Sequence, residues 1–190
     1  KEFLKLTNKG NVIPVYKEIN ADLDTPVSAF LKISKDDYAF LLESVEGQER
    51  IARYSFLGGN PSLIFKSKGK QIEIIDVAGN KKRSFITDSS PLDEIKKIMR
   101  DFRSVQVAGL PRFYGGLVGY IGYDTVRFFE NIPDKNKDDL KIPDTLLMLT
   151  DTLLIFDRLN HSLKIVNNVI LPKTSGLLKK RKLYEKAIKK

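Results

Sequence analysis

The stretch TLLMLTDTLLIFDRLNHSLKIVNNVIL, residues 145–171, reads as two long β-strands. Residues 145–158 and 162–171 are rich in Leu, Ile, Val, Phe and Thr, the residues that suit a pleated, half-buried surface. Leu159-Asn160-His161 between them is short enough for a hairpin, so the two strands run antiparallel. Working outward, residues 3–7, 12–19, 38–47, 50–57, 62–67, 71–77 and 82–86 also read as strands. Turn clusters GGNP, SKGK and AGNKK separate the later ones. Pro14 cannot donate to a ladder and makes 12–19 an edge strand. In KQIEIIDV the alternation puts Ile72, Ile74 and Asp76 on one face.

Helices interrupt these strands without alternating regularly with them, which argues against a parallel, doubly wound sheet. In DTPVSAFLKIS, Thr25 suits an N-cap and Pro26 the first helical position, while Val27, Phe30 and Leu31 share a face. SSPLDEIKKIMRDF is the clearest helix. Ser90 caps it, Asp93 and Glu94 fall where the dipole favours them, and Leu92, Ile95, Ile98, Met99 and Phe102 form the apolar stripe. FYGGLVGYIGYD reads as a glycine-rich strand, TVRFFENIPD as a short helix or turn, and IPDKNKDDLKIPD as a surface loop. After Pro172 a helix begins with no C-cap signal, and is expected to lead into a further domain. The fold class that follows is α+β: mainly antiparallel β-sheet, sandwich-like, with a few packed helices.

The 190 residues suffice for a core without staples, and 42% hydrophobic with 30% charged residues is a globular composition. There are no cysteines, hence no disulfide framework, and no apolar run of membrane-spanning length. The start has no signal-peptide core, so a cytoplasmic setting is expected. The net charge of +9 is local. The last 18 residues hold eight Lys or Arg against one Glu, leaving 25 basic against 23 acidic groups elsewhere. A solvated face of an amphipathic helix accounts for that tail better than nucleic-acid binding, since Tyr184 is the one aromatic among its basic residues.

Catalytic chemistry is hard to find. His161, the one histidine, falls at the hairpin tip and reads as a solvated turn residue. Without Cys, a zinc cluster is not credible. Gly116, Gly119 and Gly122 are spaced three apart, unlike a nucleotide loop, and read as strand glycines that allow close approach. Asp134, Asp138 and Asp139, or Asp93 and Glu94, do not form an acid–base pair. The polar group that stands out is Glu43-Ser44, ending the apolar run YAFLL. Alternation puts Phe40, Leu42 and Ser44 on one face and Leu41, Glu43 and Val45 on the other. Ser44 is then buried or nearly so and needs a partner. The pattern by itself favours neighbouring backbone as that partner, with Glu43 paired to Arg50 or Arg53, over a ligand.

FLLESVEGQERIARYSFLG resembles the N-terminal region of anthranilate synthase component I. FYGGLVGYIGYDTVRFFENIP and DTLLMLTDTLLIFDRLNHSLKIV resemble two further blocks of that family, in family order. The resemblance implies residues 1–172 as an N-terminal regulatory domain, and 173–190 as a basic helix leading toward a C-terminal chorismate-binding domain. It implies a complete enzyme that converts chorismate and glutamine-derived ammonia to anthranilate and pyruvate. That enzyme uses Mg2+ and a glutamine amidotransferase subunit, component II. Chorismate and Mg2+ are expected on the C-terminal domain, so no catalytic or metal residue is expected here, and this portion alone should be inactive. What this part is expected to contribute is one wall of the L-tryptophan feedback site: Leu41, Leu42, Glu43 and Ser44, with Ser44 in direct contact and Glu43 supported by Arg53. Without the other wall, Glu43 and Ser44 are expected to face an open half-pocket. No membrane or nucleic-acid partner is expected. The related 4-amino-4-deoxychorismate synthase component I is the nearest alternative, and a stand-alone basic binding module a remote one.

Overall fold

The structure, a computed structural model, describes residues 2–34, 37–43, 53–172 and 174–189. The chain divides into two compact units. One holds residues 1–61, 102–116 and 150–190, the other 62–101 and 117–149.

The first unit is built on a five-stranded antiparallel sheet. Its strands are β1 (Val12–Asn20), β2 (Ala39–Leu42), β3 (Tyr54–Gly59), β9 (Thr152–Asp157) and β10 (Ser162–Ile170), in the order β1-β10-β9-β3-β2. Pro14 lies in edge strand β1, as its missing donor requires. The β9–β10 hairpin pairs Ser162 with Asp157 through to Asn167 with Thr152. His161 takes a left-handed backbone conformation in its turn and is exposed.

One face of this sheet carries three helices. Helix α2 (Pro26–Ile33) begins in a capping box between Thr25 and Ser28, and packs Ala29, Phe30 and Ile33 over Leu57, Phe156 and Leu163. Further along the same face, Ile13 and Val169 meet Phe3 of α1 (Glu2–Leu6) and Leu183 and Tyr184 of α4 (Leu177–Lys189). Residues 3–7, expected as a strand, are thus mostly helical. Phe3 is 8% exposed and packs against Tyr184, with tilted rings 4.8 Å apart between centroids, a tertiary contact that no local pattern displays. The basic tail is a helix whose apolar side packs on this core, with most of its basic residues exposed and Lys180 bonded to Thr7 Oγ1 at 3.0 Å. On the other face, Leu110, Phe113 and Tyr114 cover Leu153, Ile155 and Val166.

The second unit is a five-stranded antiparallel sheet of β4 (Leu63–Lys68), β5 (Gln71–Asp76), β6 (Lys81–Ile86), β7 (Gly116–Ile121) and β8 (Thr145–Thr150), ordered β6-β5-β4-β8-β7. Helix α3 (Pro91–Met99) starts in a capping box of Ser90 and Asp93, and its Ile95 and Ile98 pack against Phe65, Ile72 and Leu147. Ile72 and Ile74 share that core, as the alternation requires. Residues 145–158, expected as one strand, are two. The break at Asp151 separates β8 from β9, and each joins a different sheet. The α+β class and the antiparallel pairing hold throughout the described strands.

Candidate functional site

Strand β2 is a four-residue edge strand, and its ladder with β3 ends at the pair Leu42 and Phe56. Leu41 points toward α2, against the core of Leu57 and Phe156. Leu42 points to the opposite face and is 48% exposed, whereas Phe40 two residues earlier is 8% exposed. The row that Ser44 extends by alternation is therefore already half open at Leu42. Ser44 itself, and Arg50, lie outside the described residues.

The face that Leu42 shares is partly aromatic. Phe56 is directly opposite it, Tyr54 is 6.2 Å from Phe56 between ring centroids, and Phe113 meets Phe56 edge-on at 5.3 Å. The cross-strand row then runs from Phe56 through Ile155 to Lys164 and Glu18. Lys164 is 4% exposed and donates to Glu18, whose carboxylate also accepts from Ser162 Oγ at 2.6 Å. The Lys164 hydrogen bond holds the Glu18 carboxyl below its usual range, with Ser162 adding to the effect.

Glu43 is paired within the chain, but to Arg158 and not to Arg53. Arg158 Nη2 donates to Glu43 Oε1. Arg53 instead forks onto Asp157, Nε to Oδ1 at 2.8 Å and Nη2 to Oδ2 at 2.6 Å, with its guanidinium 4.9 Å from the Tyr54 ring centre. The register explains the exchange. Tyr54 lies opposite Asp157, so Arg53 reaches the carboxylate, while the Arg158 amide donates to the Arg53 carbonyl at 3.0 Å. Asp157, at 1% exposure, needs that partner. Burial pushes its carboxyl up, but the Arg53 bonds and charge, with the Asn160 and Leu159 amides, more than offset this and hold it below the usual range. The DR dipeptide at 157–158 was the available signal for both partners, but nothing local shows which acid each arginine meets.

The second unit carries an open cleft of about 670 Å³, lined in part by Lys68, Tyr120, Tyr123, Arg127, Asp138 and Asp144. Several of its charges pair with one another. Lys68 bonds Asp138 at 2.7 Å and Asp144 at 2.9 Å, which holds its ammonium well above the usual range, and Arg127 pairs with Asp124 and Asp134. These carboxylates, each engaged by a fixed cation, do not fit a divalent-ion site. Among the described residues no group of three or more His, Cys, Asp or Glu could hold a metal, and no helix is long and apolar enough to cross a membrane.

No family model matches the chain. Curated proteins named anthranilate synthase component 1 do, among them the following three. That of Acetivibrio thermocellus is 40% identical over 159 residues, 84% of this chain and 32% of its own length. That of Aquifex aeolicus is 40% identical over 167 residues, 87% of this chain and 33% of its own. That of Neisseria meningitidis serogroup B is 42% identical over 161 residues, 82% of this chain and 32% of its own. The fold is similar to the crystal structure of anthranilate synthase component I from Streptococcus pneumoniae, with a TM-score of 0.52 at 22% identity, covering 90% of this chain and 36% of that one. Across the described elements the chain thus spans about a third of the curated relatives it matches. Over most of its length the chain is therefore similar to one portion of proteins named anthranilate synthase component 1.

Proposed function

We propose that this chain is the N-terminal portion of an anthranilate synthase large subunit, and that the end of β2 forms one wall of the site where L-tryptophan inhibits the complete enzyme. The observation that carries the site is the exposure of Leu42, 48% on an edge strand, beside half-buried Phe56 and Tyr54 on the same face. An indole ring gains most of its affinity from such apolar cover, while its amino-acid head needs polar partners. Ser44, which sequence alternation assigns to the Leu42 row, is the direct polar contact in this reading; Glu43 supports the strand end. Inhibition is then a coupling in which bound tryptophan favours an arrangement ill-suited to turnover.

The complete protein converts chorismate and glutamine-derived ammonia to anthranilate and pyruvate. Component II supplies the ammonia. Chorismate and Mg2+ belong to the two thirds of the relatives that this chain does not span. This portion alone is inactive, and a cytoplasmic setting goes with the substrates. The 4-amino-4-deoxychorismate alternative is not favoured, since the relatives are named for anthranilate synthase. A stand-alone basic module is disfavoured by α4, whose Leu183, Tyr184 and Ala187 pack on the core. The test is the product that the complete protein makes from chorismate, ammonia and Mg2+. Anthranilate is expected, and accumulation of aminodeoxychorismate contradicts the reading.

A further inference from the structure

We infer that residues 129–144 of the second unit form a movable strap, latched by Lys68, that sets how far the cleft beside it opens onto its aromatic lining. The strap leaves a short 3-10 helix, Tyr123–Phe128, and runs to β8 without regular secondary structure. A loop of this length inside a compact unit is uncommon, and is more often a functional element than a plain connection. Its residues from Asp134 to Asp144 contribute to the lining of the cleft of about 670 Å³. The aromatic part of the lining, Tyr120, Tyr123 and Phe128, comes from β7 and the 3-10 helix.

Little holds the strap by packing. From Asn131 to Ile142, Ile132 is half-buried and every other residue is exposed, with Leu140 at 73% and Ile142 at 54%. A segment that buries so little apolar surface opens at low cost. Its two ends are pinned by polar contacts. Arg127 donates to the Ile132 and Pro133 carbonyls at 3.1 and 2.8 Å, a local tie only five and six positions along the chain. At the other end Tyr120 Oη donates to the Pro143 carbonyl at 2.8 Å, and the Asp144 carboxylate accepts from the Gly69 amide at 2.7 Å. Among the described residues, the ion pair that ties the middle of the strap to the sheet is Lys68 to Asp138 at 2.7 Å, made from the last residue of β4. The same ammonium bonds Asp144 at 2.9 Å and the Ile142 carbonyl at 3.0 Å. Asp138 in turn accepts from the Lys141 amide at 3.0 Å, so one lysine fixes both the bend of the strap and its place beside β4. Lys68 and Asp138 are each 47% exposed, which makes the latch weak enough to open while the sheet stays folded. Release widens the approach to the aromatic lining, a surface suited to an apolar group.

The experiment is limited trypsin digestion, with the cuts mapped by mass spectrometry, on the parent protein and on Lys68→Met, Asp138→Asn and Lys82→Met. The strap carries its own trypsin sites, Lys135 and Lys141. Lys68→Met is expected to speed cutting at these two sites about three- to tenfold relative to cuts elsewhere in the chain, the range set by loss of a half-exposed ion pair. Phe128, half-buried in the cleft lining, is expected to gain hydroxyl-radical labelling in the same variant as the cleft widens. Asp138→Asn removes the latch from the strap side and is expected to act in the same direction. Lys82→Met breaks a surface pair with Glu73 on the same sheet, and is expected to leave the strap sites at the parental rate. Parental cutting of the strap in either latch variant overturns the inference. Cutting that rises equally throughout the chain reports general loosening and overturns it too. Faster strap cutting with unchanged labelling of Phe128 overturns the control of the cleft. Should Lys68→Met fail to fold, Asp138→Asn, at an exposed loop position, decides the matter by the same two readouts.

Discussion

Arg53 and Asp157, 104 positions apart, meet through two parallel hydrogen bonds of 2.8 and 2.6 Å, and the carboxylate is 1% exposed. The pair couples strand β3 to the turn that follows β9. Because Asp157 also accepts from that turn, loss of its charge loosens several contacts together. Asp157→Asn is expected to cost about 2 kcal/mol in urea unfolding, the scale of hydrogen bonds to a charged group. Arg53→Met should lower the midpoint in the same direction. An unshifted midpoint for Asp157→Asn contradicts this role.

The same pair sets a pH dependence. The folded-state carboxyl of Asp157 is held below its unfolded value of about 3.9. Its contribution is therefore complete above that value and is lost as pH falls through the lower folded-state value. The urea midpoint of the parent protein should drop on acidification from about pH 5 to pH 3, and Asp157→Asn should lack that component of the drop. Identical acid limbs for the two proteins contradict the assignment.

Gly119 in β7 has φ +152°, and a β-carbon there would run into the Leu146 carbonyl. Gly69 has φ +50° with nothing within 4 Å of the added carbon. Gly119→Ala is therefore expected to cost about 3 kcal/mol or more, from strain and backbone clash together, while Gly69→Ala costs about 1 kcal/mol from conformation alone. Comparable losses in the two variants, measured by denaturant unfolding, contradict the distinction.

Tyr184 meets the Phe3 ring at a tilt and packs α4 onto the core of Ile13 and Val169. Tyr184→Ala is expected to destabilise by about 2 kcal/mol, as truncation of a half-buried aromatic does. A surface change on the same helix, Lys182→Ala, should be within about 0.5 kcal/mol of the parent. Equal, negligible effects would mean that α4 contributes no packing to the unit.

What was legible in the sequence depended on local chemistry. Thr25 and Ser90 cap their helices through their own neighbours, and the β9–β10 hairpin follows from its apolar runs and short turn, so these could be read directly. Residues 3–7 could not. Their apolar spacing suits a strand or a helix, and Phe3 meeting Tyr184 from the other end of the chain decides between them. The continuous β-propensity of 145–158 likewise hides the break at Asp151, because both halves are strands and differ only in the sheet they join. At the candidate site, alternation correctly put Leu41 and Leu42 on opposite faces. It could not assign the acid–arginine pairs. Sequence proximity offers Arg50 or Arg53 to Glu43, whereas the β3–β9 register gives Asp157 to Arg53 and the remote Arg158 meets Glu43.

The central claim is that the β2 end forms part of a tryptophan feedback site. Its most direct test is titration of the complete enzyme with L-tryptophan in the parent and in Ser44→Phe. An aromatic ring at position 44 is expected to occupy the ligand's place, leaving the variant active at tryptophan concentrations that inhibit the parent. Parental inhibition of Ser44→Phe at the same tryptophan concentration contradicts the account.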